Sequence, residues 1–445
     1  MLSQQTASAT GEHLVTSLAE ARTLTDKLFE VVRPENLYDR PIPERHRIAF
    51  YIGHLEAFDW NLIGRNILDL HSFDESLDHL FAFGIDPVGG GLPNDQASDW
   101  PAMQQIQLYN RTVRESLDTA LEKSPFSDPA LPLLQDGYAL HVAIEHRLMH
   151  AETLAYMLHQ LPLESKLRDR PDAPISGPPA APRVAKISAG TATLGLTLNG
   201  DGAFGWDNEF EAQEVAVPEF EIDVYNVTNA GFLKFMNAGG YESRSFWTDA
   251  DWRWRTEQGV KHPLFWVQRG GQWFYRAMFG EVPLPLDWPA YTSHAEAAAY
   301  LRWVGKELPT EAQIHRAAYG MPQGNEREFP WGNELPDRQY GNFDFHNWDP
   351  SPVGAFPAGA SAFGIADLVG NGWEWTSTTF APLPGFKPFS FYPGYSANFF
   401  DGQHYVMKGG SSRTAAALLR RSFRNWFQPH YPYVYAKFRG VSNAS

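Results

Sequence analysis

The chain has 445 residues, no cysteine and a formal net charge of −16 at pH 7. That length exceeds one ordinary core, so two domains are expected. The missing cysteine excludes disulfides, thiol nucleophiles and thiolate zinc sites, and the acidic balance without a basic stripe argues against nucleic acid and anionic membrane partners. No apolar stretch is long enough to span a bilayer, and the first residues lack the basic flank and apolar core of a secretory signal. A cytoplasmic protein acting on small molecules is the expectation.

Residues 1–165 read as a helical bundle. Apolar residues recur at three- and four-residue steps over 13–32, 44–68, 100–123 and 131–160, which predicts four helices in an antiparallel arrangement. Between the second and third, FGIDPVGGGLPNDQASDW (83–100) is too rich in Gly, Pro and Asp for a helix and reads as a long connection. The stretch 166–183, with RPDAPISGPPAAPR, reads as an extended linker. From 184 to 445 short apolar runs alternate with Gly, Pro, Trp and Asn, which predicts an irregular α+β domain whose clearest helices cover 229–237 and 294–304.

Three histidines stand out in the bundle. His146 and His150 are one turn apart in EHRLMHAETLAYM, so both imidazoles lie on one helix face. Projected at about 100° per residue, they share a stripe with Ala139, Ala143, Thr153 and Met157, beside the main apolar stripe and therefore inward. Glu145 and Glu152 fall on another face, which makes Glu152 a poor ligand; His141 and His159 also lie off the stripe and read as surface or packing residues. On the second helix His54 is flanked at helical spacing by Tyr51 and Phe58, again suggesting an interior position. Three imidazoles would hold one metal with open coordination positions, as a catalytic ion requires; three core histidines are the alternative.

The combination of His146-x3-His150-x-Glu152 with His54 in a G-H-x-x-x-F-x-W context resembles the iron-binding half of ergothioneine-type sulfoxide synthases. The second half is similar to the domain of formylglycine-generating enzymes, through GKELPTEAQIHRAAYG (305–320), FPWGN (329–333), GIADLVGNGWEWTS (364–377), MKGGSS (407–412) and FRNW (423–426). The resemblance implies an α+β multidomain fold: a DinB-like four-helix bundle followed by a C-type-lectin-like domain. It also implies a mononuclear non-haem Fe(II) held by His54, His146 and His150, and an oxidative, O2-dependent attachment of a chalcogen to C2 of the imidazole of hercynine, Nα-trimethylhistidine. Formylglycine generation itself uses cysteines and is excluded. Within the resemblance, Asn425 and Trp426 match positions that line the hercynine pocket, a quaternary ammonium being recognised by aromatic walls. Tyr392 and Tyr395 lie where a pocket tyrosine donates a proton; Tyr392 is taken as catalytic and Tyr395 as substrate-binding. Trp373 and Trp375 read as core.

The donor is read from departures. Where synthases that use γ-glutamylcysteine carry charged residues after Asn–Trp, this chain has Phe427 and Tyr431, and no Lys or Arg stands between Arg65 and Arg111. A buried carboxylate without a cation costs several kcal/mol. Asp86, Asn94, Asp95, Gln96 and Asp99 offer partners for hydroxyls instead, so a selenosugar, as in the selenoneine synthase branch, is the expected donor. A C–S synthase using cysteine or γ-glutamylcysteine is the alternative; a metal-dependent thiol transferase and a sugar-binding module without enzymatic activity are further ones.

Overall fold

The computed structural model describes residues 2–82, 94–123, 126, 128, 130–167, 180–198 and 204–443. Its chain divides into two compact units, Met1–Asp169 and Arg170–Ser445. Most of the stretch read as a linker lies outside the described residues. At its start, Lys166 belongs to the first unit: it bridges to Val32 and its Nζ donates to the His159 carbonyl at 3.0 Å.

The first unit is helical. In chain order come α1 (Leu2–Phe29), α2 (Ile48–Asp59), α3 (Glu75–Leu80), α4 (Met103–Lys123) and α5 (Tyr138–His159). α2 runs on through a π-helical turn, Trp60–Arg65. α1 packs on α5, and α2 packs on α4 while also touching α5. α5 is buried on almost every face, from Ala139 to His159, which is the pattern of a helix surrounded by others rather than one lying on a surface. His159 is accordingly a packing residue. α4 is different: only Ile106, Tyr109, Val113, Leu117 and Leu121 are buried, a single stripe at helical spacing.

Compared with the four predicted helices, α2 starts later, at Ile48, and α5 at Tyr138. The sequence reading omitted α3. It is only six residues long, too short for a periodic pattern, but its start is marked: the Asp74 side chain accepts a hydrogen bond from the Leu77 N–H at 3.0 Å.

Among its described residues, the second unit is built from short strands and four α-helices. Strands β1 (Val184–Ile187), β2 (Gly190–Leu194), β3 (Gln213–Val217) and β4 (Phe220–Asp223) precede α6 (Asn229–Asn237) and α7 (Asp249–Glu257). A meander of β5 (Trp266–Arg269), β6 (Gln272–Ala277) and β7 (Gly280–Pro283) leads to α8 (His294–Val304) and α9 (Glu311–Tyr319). The unit ends in β8 (Trp373–Thr379), β9 (Tyr405–Lys408), β10 (Asn425–Phe427), β11 (Ala436–Lys437) and β12 (Val441–Asn443). The sheets are β1-β4-β12, β10-β9-β8-β11, β2-β3 and β5-β6-β7. α8 and α9 begin with capping boxes, Ser293/Glu296 and Thr310/Gln313, in which two orphan N–H groups are satisfied reciprocally. Trp373 and Trp375 are buried, with the Trp375 indole donating to the Thr292 carbonyl at 3.0 Å. Within β8 the Glu374 carboxylate is paired with the fully buried Arg439.

Candidate metal centre

α2 and α5 carry the three histidines to one point. His54 Nε2 lies 3.3 Å from His150 Nε2, which is 3.1 Å from His146 Nε2. All three side chains are buried, and this is the only trio of metal-ligating residues among the described residues. Phe58 stacks on His146 with ring centroids 3.4 Å apart, Phe50 stacks on His54 at 4.9 Å, and Tyr51 lies 5.9 Å from His150. The walls are therefore aromatic.

Burial governs the protonation of this trio. It pushes the His54 pKa down to about 4, and holds His146 and His150 well below the ordinary imidazole value, with repulsion among the rings adding to the effect. At neutral pH all three are neutral donors. For His54 the tautomer is also set. Its Nδ1 stands 2.7 Å from the Phe81 carbonyl oxygen, which can only accept, so Nδ1 carries the proton and Nε2 keeps its lone pair.

These residues fit a divalent first-row metal. With metal–nitrogen bonds of about 2.1 Å, neighbouring ligand nitrogens sit about 3.0 Å apart at a right angle and about 3.4 Å apart at the tetrahedral angle, which brackets the observed separations. A set of neutral imidazoles without thiolate suits Fe, Zn, Cu or Ni, and three protein ligands leave positions open for exchangeable ones.

A buried charge network holds the two ligand helices in register. Arg147, next to His146, donates to Glu56 at 3.0 Å and to Asp59 at 2.7 Å, on the face of α2 away from His54. Arg114 of α4 reaches the same Glu56 at 2.6 Å and pairs with Asp26 of α1 at 2.8 Å. Burial alone would raise the Glu56 pKa; Arg147 and Arg114 outweigh it and hold it at about 2. Sequence reading passed over these residues, although buried-facing charges at helix positions 56, 59 and 147 were a signal for a network.

The other predicted residues fall in two places. Tyr392, Tyr395, Asn425 and Trp426 gather in the second unit. Tyr395 lies roughly perpendicular to Trp426 at 5.6 Å and stacks on Trp206 at 4.0 Å, with Tyr392 at 5.8 Å. One face of the Trp426 indole is covered by Phe380 at 4.2 Å, and the Asn425 side-chain oxygen accepts from the Trp426 backbone N–H. Asp86 lies outside the described residues. Asp95 and Asp99, expected to serve hydroxyls, are engaged otherwise. Asp95 takes Arg40, the Arg47 guanidinium at 2.8 Å and the Trp100 indole at 2.7 Å, while Asp99 accepts from the Gln96 N–H at 2.6 Å. Two arginines from the segment before α2 thus stand at the end of a connection that carries none of its own.

This is a DinB-like helical unit joined to a sheet-rich domain of the formylglycine-generating type: residues 17–154 match the DinB superfamily, and 174–444 match the Sulfatase-modifying factor enzyme 1-like domain. Hercynine oxygenase of Mycolicibacterium thermoresistibile is 37% identical, over 75% of this chain and 74% of that protein. Ergothioneine biosynthesis protein 1 of Neurospora crassa is 26% identical, over 93% of this chain and 55% of that protein. The chain belongs to the family that contains the hercynine oxygenases. Among solved structures, PvdO from Pseudomonas aeruginosa is 20% identical, with a TM-score of 0.38 over 62% of this chain and all of that one. No helix among the described residues is long and apolar enough to cross a membrane.

Proposed function

We propose that the protein is an Fe(II)- and O2-dependent enzyme that joins a chalcogen to C2 of the hercynine imidazole, with a thiol such as cysteine or γ-glutamylcysteine as donor. The observation that carries this reading is the trio of buried, neutral imidazoles, with His150 Nε2 3.3 Å from His54 Nε2 and 3.1 Å from His146 Nε2; the names of the relatives supply the substrate. Iron held by His54, His146 and His150 would contribute one-electron chemistry and open positions for exchangeable ligands. The balance is simple: the C2–H and S–H bonds break, a C–S bond forms, one oxygen atom of O2 enters the sulfoxide, and the other leaves as water with both hydrogens.

The protein's own residues do the rest. Phe50 and Phe58 cover the imidazoles and keep bulk water from their ring faces. Trp426, packed with Phe380, Phe399 and Tyr395, belongs to the aromatic group that would recognise the trimethylammonium. Tyr392 supplies a phenol proton, and Tyr395 lines the pocket beside Trp426.

A selenosugar donor is the second reading, and one observation favours it. Phe427 and Tyr431 stack on each other at 5.1 Å where the resemblance leads one to expect charge, which gives a face suited to a neutral ring. Against it stand the relatives, which are named for hercynine oxygenation and ergothioneine biosynthesis. The test is anaerobic iron content, followed by turnover of hercynine and O2 with cysteine, γ-glutamylcysteine and selenoglucose in parallel. About one iron per chain and a tenfold preference for a thiol support the main reading. The same preference for selenoglucose moves the assignment to selenium, and no iron with no hercynine turnover overturns both.

A further inference from the structure

We infer that α3 is a device for fixing the tautomer of His54, and that Asp78 and Gly53 are its positioning residues. This rests on reading the three histidines as a metal site. The link to His54 is a backbone group: the carbonyl of Phe81, immediately after α3, takes the His54 Nδ1–H at 2.7 Å. A backbone acceptor is only as well placed as the segment that carries it, and here that segment is pinned from two sides.

The first pin is Asp78, three residues before Phe81. Its carboxylate accepts four hydrogen bonds: from Ser72 Oγ at 2.6 Å, Tyr109 OH at 2.8 Å, Trp60 Nε1 at 3.1 Å and Arg65 Nη1 at 3.3 Å. Its backbone carbonyl accepts a fifth from Asn61 Nδ2 at 3.2 Å. The partners come from α4, from the π-helical turn after α2 and from the loop before α3, so one buried carboxylate ties the short helix to the bundle. A six-residue helix could not hold itself in place, since isolated helices of that length are unstable.

The second pin is the contact between Phe81 and Gly53. The Phe81 ring is fully buried and lies so close to α2 that a Cβ on Gly53 would meet three of its carbons at 2.5 Å. Gly53 immediately precedes His54. Its missing side chain lets the ring seat beside the histidine that the Phe81 carbonyl orients. Outer groups that orient a ligating imidazole commonly change metal affinity about 10–100-fold when altered.

The experiment uses the full-length protein. ¹⁵N NMR of histidine-labelled, metal-free protein reads the tautomer of His54, and Co(II) titration followed by visible absorption reads metal affinity without turnover. Wild type should show His54 protonated on Nδ1. Asp78→Ala and Gly53→Ala should each populate the Nε2–H form of His54 and weaken Co(II) binding about 10–100-fold. The inference is overturned if wild-type His54 carries its proton on Nε2. It is equally overturned if either folded variant keeps the Nδ1–H form and binds Co(II) within about twofold of wild type, well below that expected range. If wild type shows the Nδ1–H form but takes up no Co(II), the metal-site reading falls and the positioning role stands.

Discussion

Arg147→Met tests whether the charge network and the metal centre are one mechanical unit. Arg147 is almost fully buried and contacts two acids, but they are not left equally exposed by its loss. Glu56 keeps Arg114 at 2.6 Å, whereas Asp59 keeps only Arg22 at 4.0 Å. The cost therefore concentrates on Asp59, a buried carboxylate deprived of its close cation, and should be about 3–5 kcal/mol. For a unit of this size that corresponds to a fall of about 6–20 °C in Tm. Calorimetry of the full chain should show it in the transition of the helical unit. Replacing both partners, Arg147→Met with Asp59→Leu, should recover more than half of the loss, because no unpaired charge remains. The network ties α2 to α5 through positions flanking His54 and His146, so Fe(II) affinity in the single variant should drop at least about tenfold. A loss under about 1 kcal/mol, within the range of an exposed pair, or a large loss with unchanged iron affinity, contradicts this coupling.

Three further outcomes follow from the same geometry. His150→Ala should abolish iron binding and turnover, while Glu152→Ala and His141→Ala should keep the metal; in wild type, iron at a hundredfold excess over Kd should stabilise the helical unit by about 2.7 kcal/mol, and iron retained by His150→Ala contradicts the site. Trp426→Ala should weaken hercynine binding by about 1–2 kcal/mol, measured by calorimetry, with plain histidine binding weakly to both proteins; equal binding of histidine and hercynine contradicts the aromatic contact. In the second unit, burial pushes the His294 pKa down to about 4, with Asp251 pulling the other way, while its Nε2–H donates to the Thr376 carbonyl at 3.1 Å. Between pH 6.5 and 4 the unfolded chain binds a proton there that the folded chain does not. Stability should therefore fall as pH drops through that window, by up to about 1.4 kcal/mol per unit, and His294→Gln should show a shallower slope in acid urea titrations.

What the sequence disclosed, and what it hid, divides along the reach of the interactions. The histidine trio was legible because two members share one helix turn and the third has its own helical context, so local periodicity was enough to turn all three inward. The helices His294–Val304 and Asn229–Asn237 were legible for the same reason. The strands were not: β8 aside, they run two to six residues, and their partners are remote, as when β12 returns to pair with β4 and Val441 meets Ile222. The connection after α3 shows the limit of such reading. Its own sequence lacks any cation, yet Arg40 and Arg47 come to Asp95 from the segment before α2. Charge is a property of a place in the fold, and a loop's own letters do not report what folds against it. The group that orients His54 lay further out of sight, because it is a main-chain carbonyl and every residue has one. Only a folded chain shows which carbonyl matters, and here Asp78 and Gly53 mark it as that of Phe81.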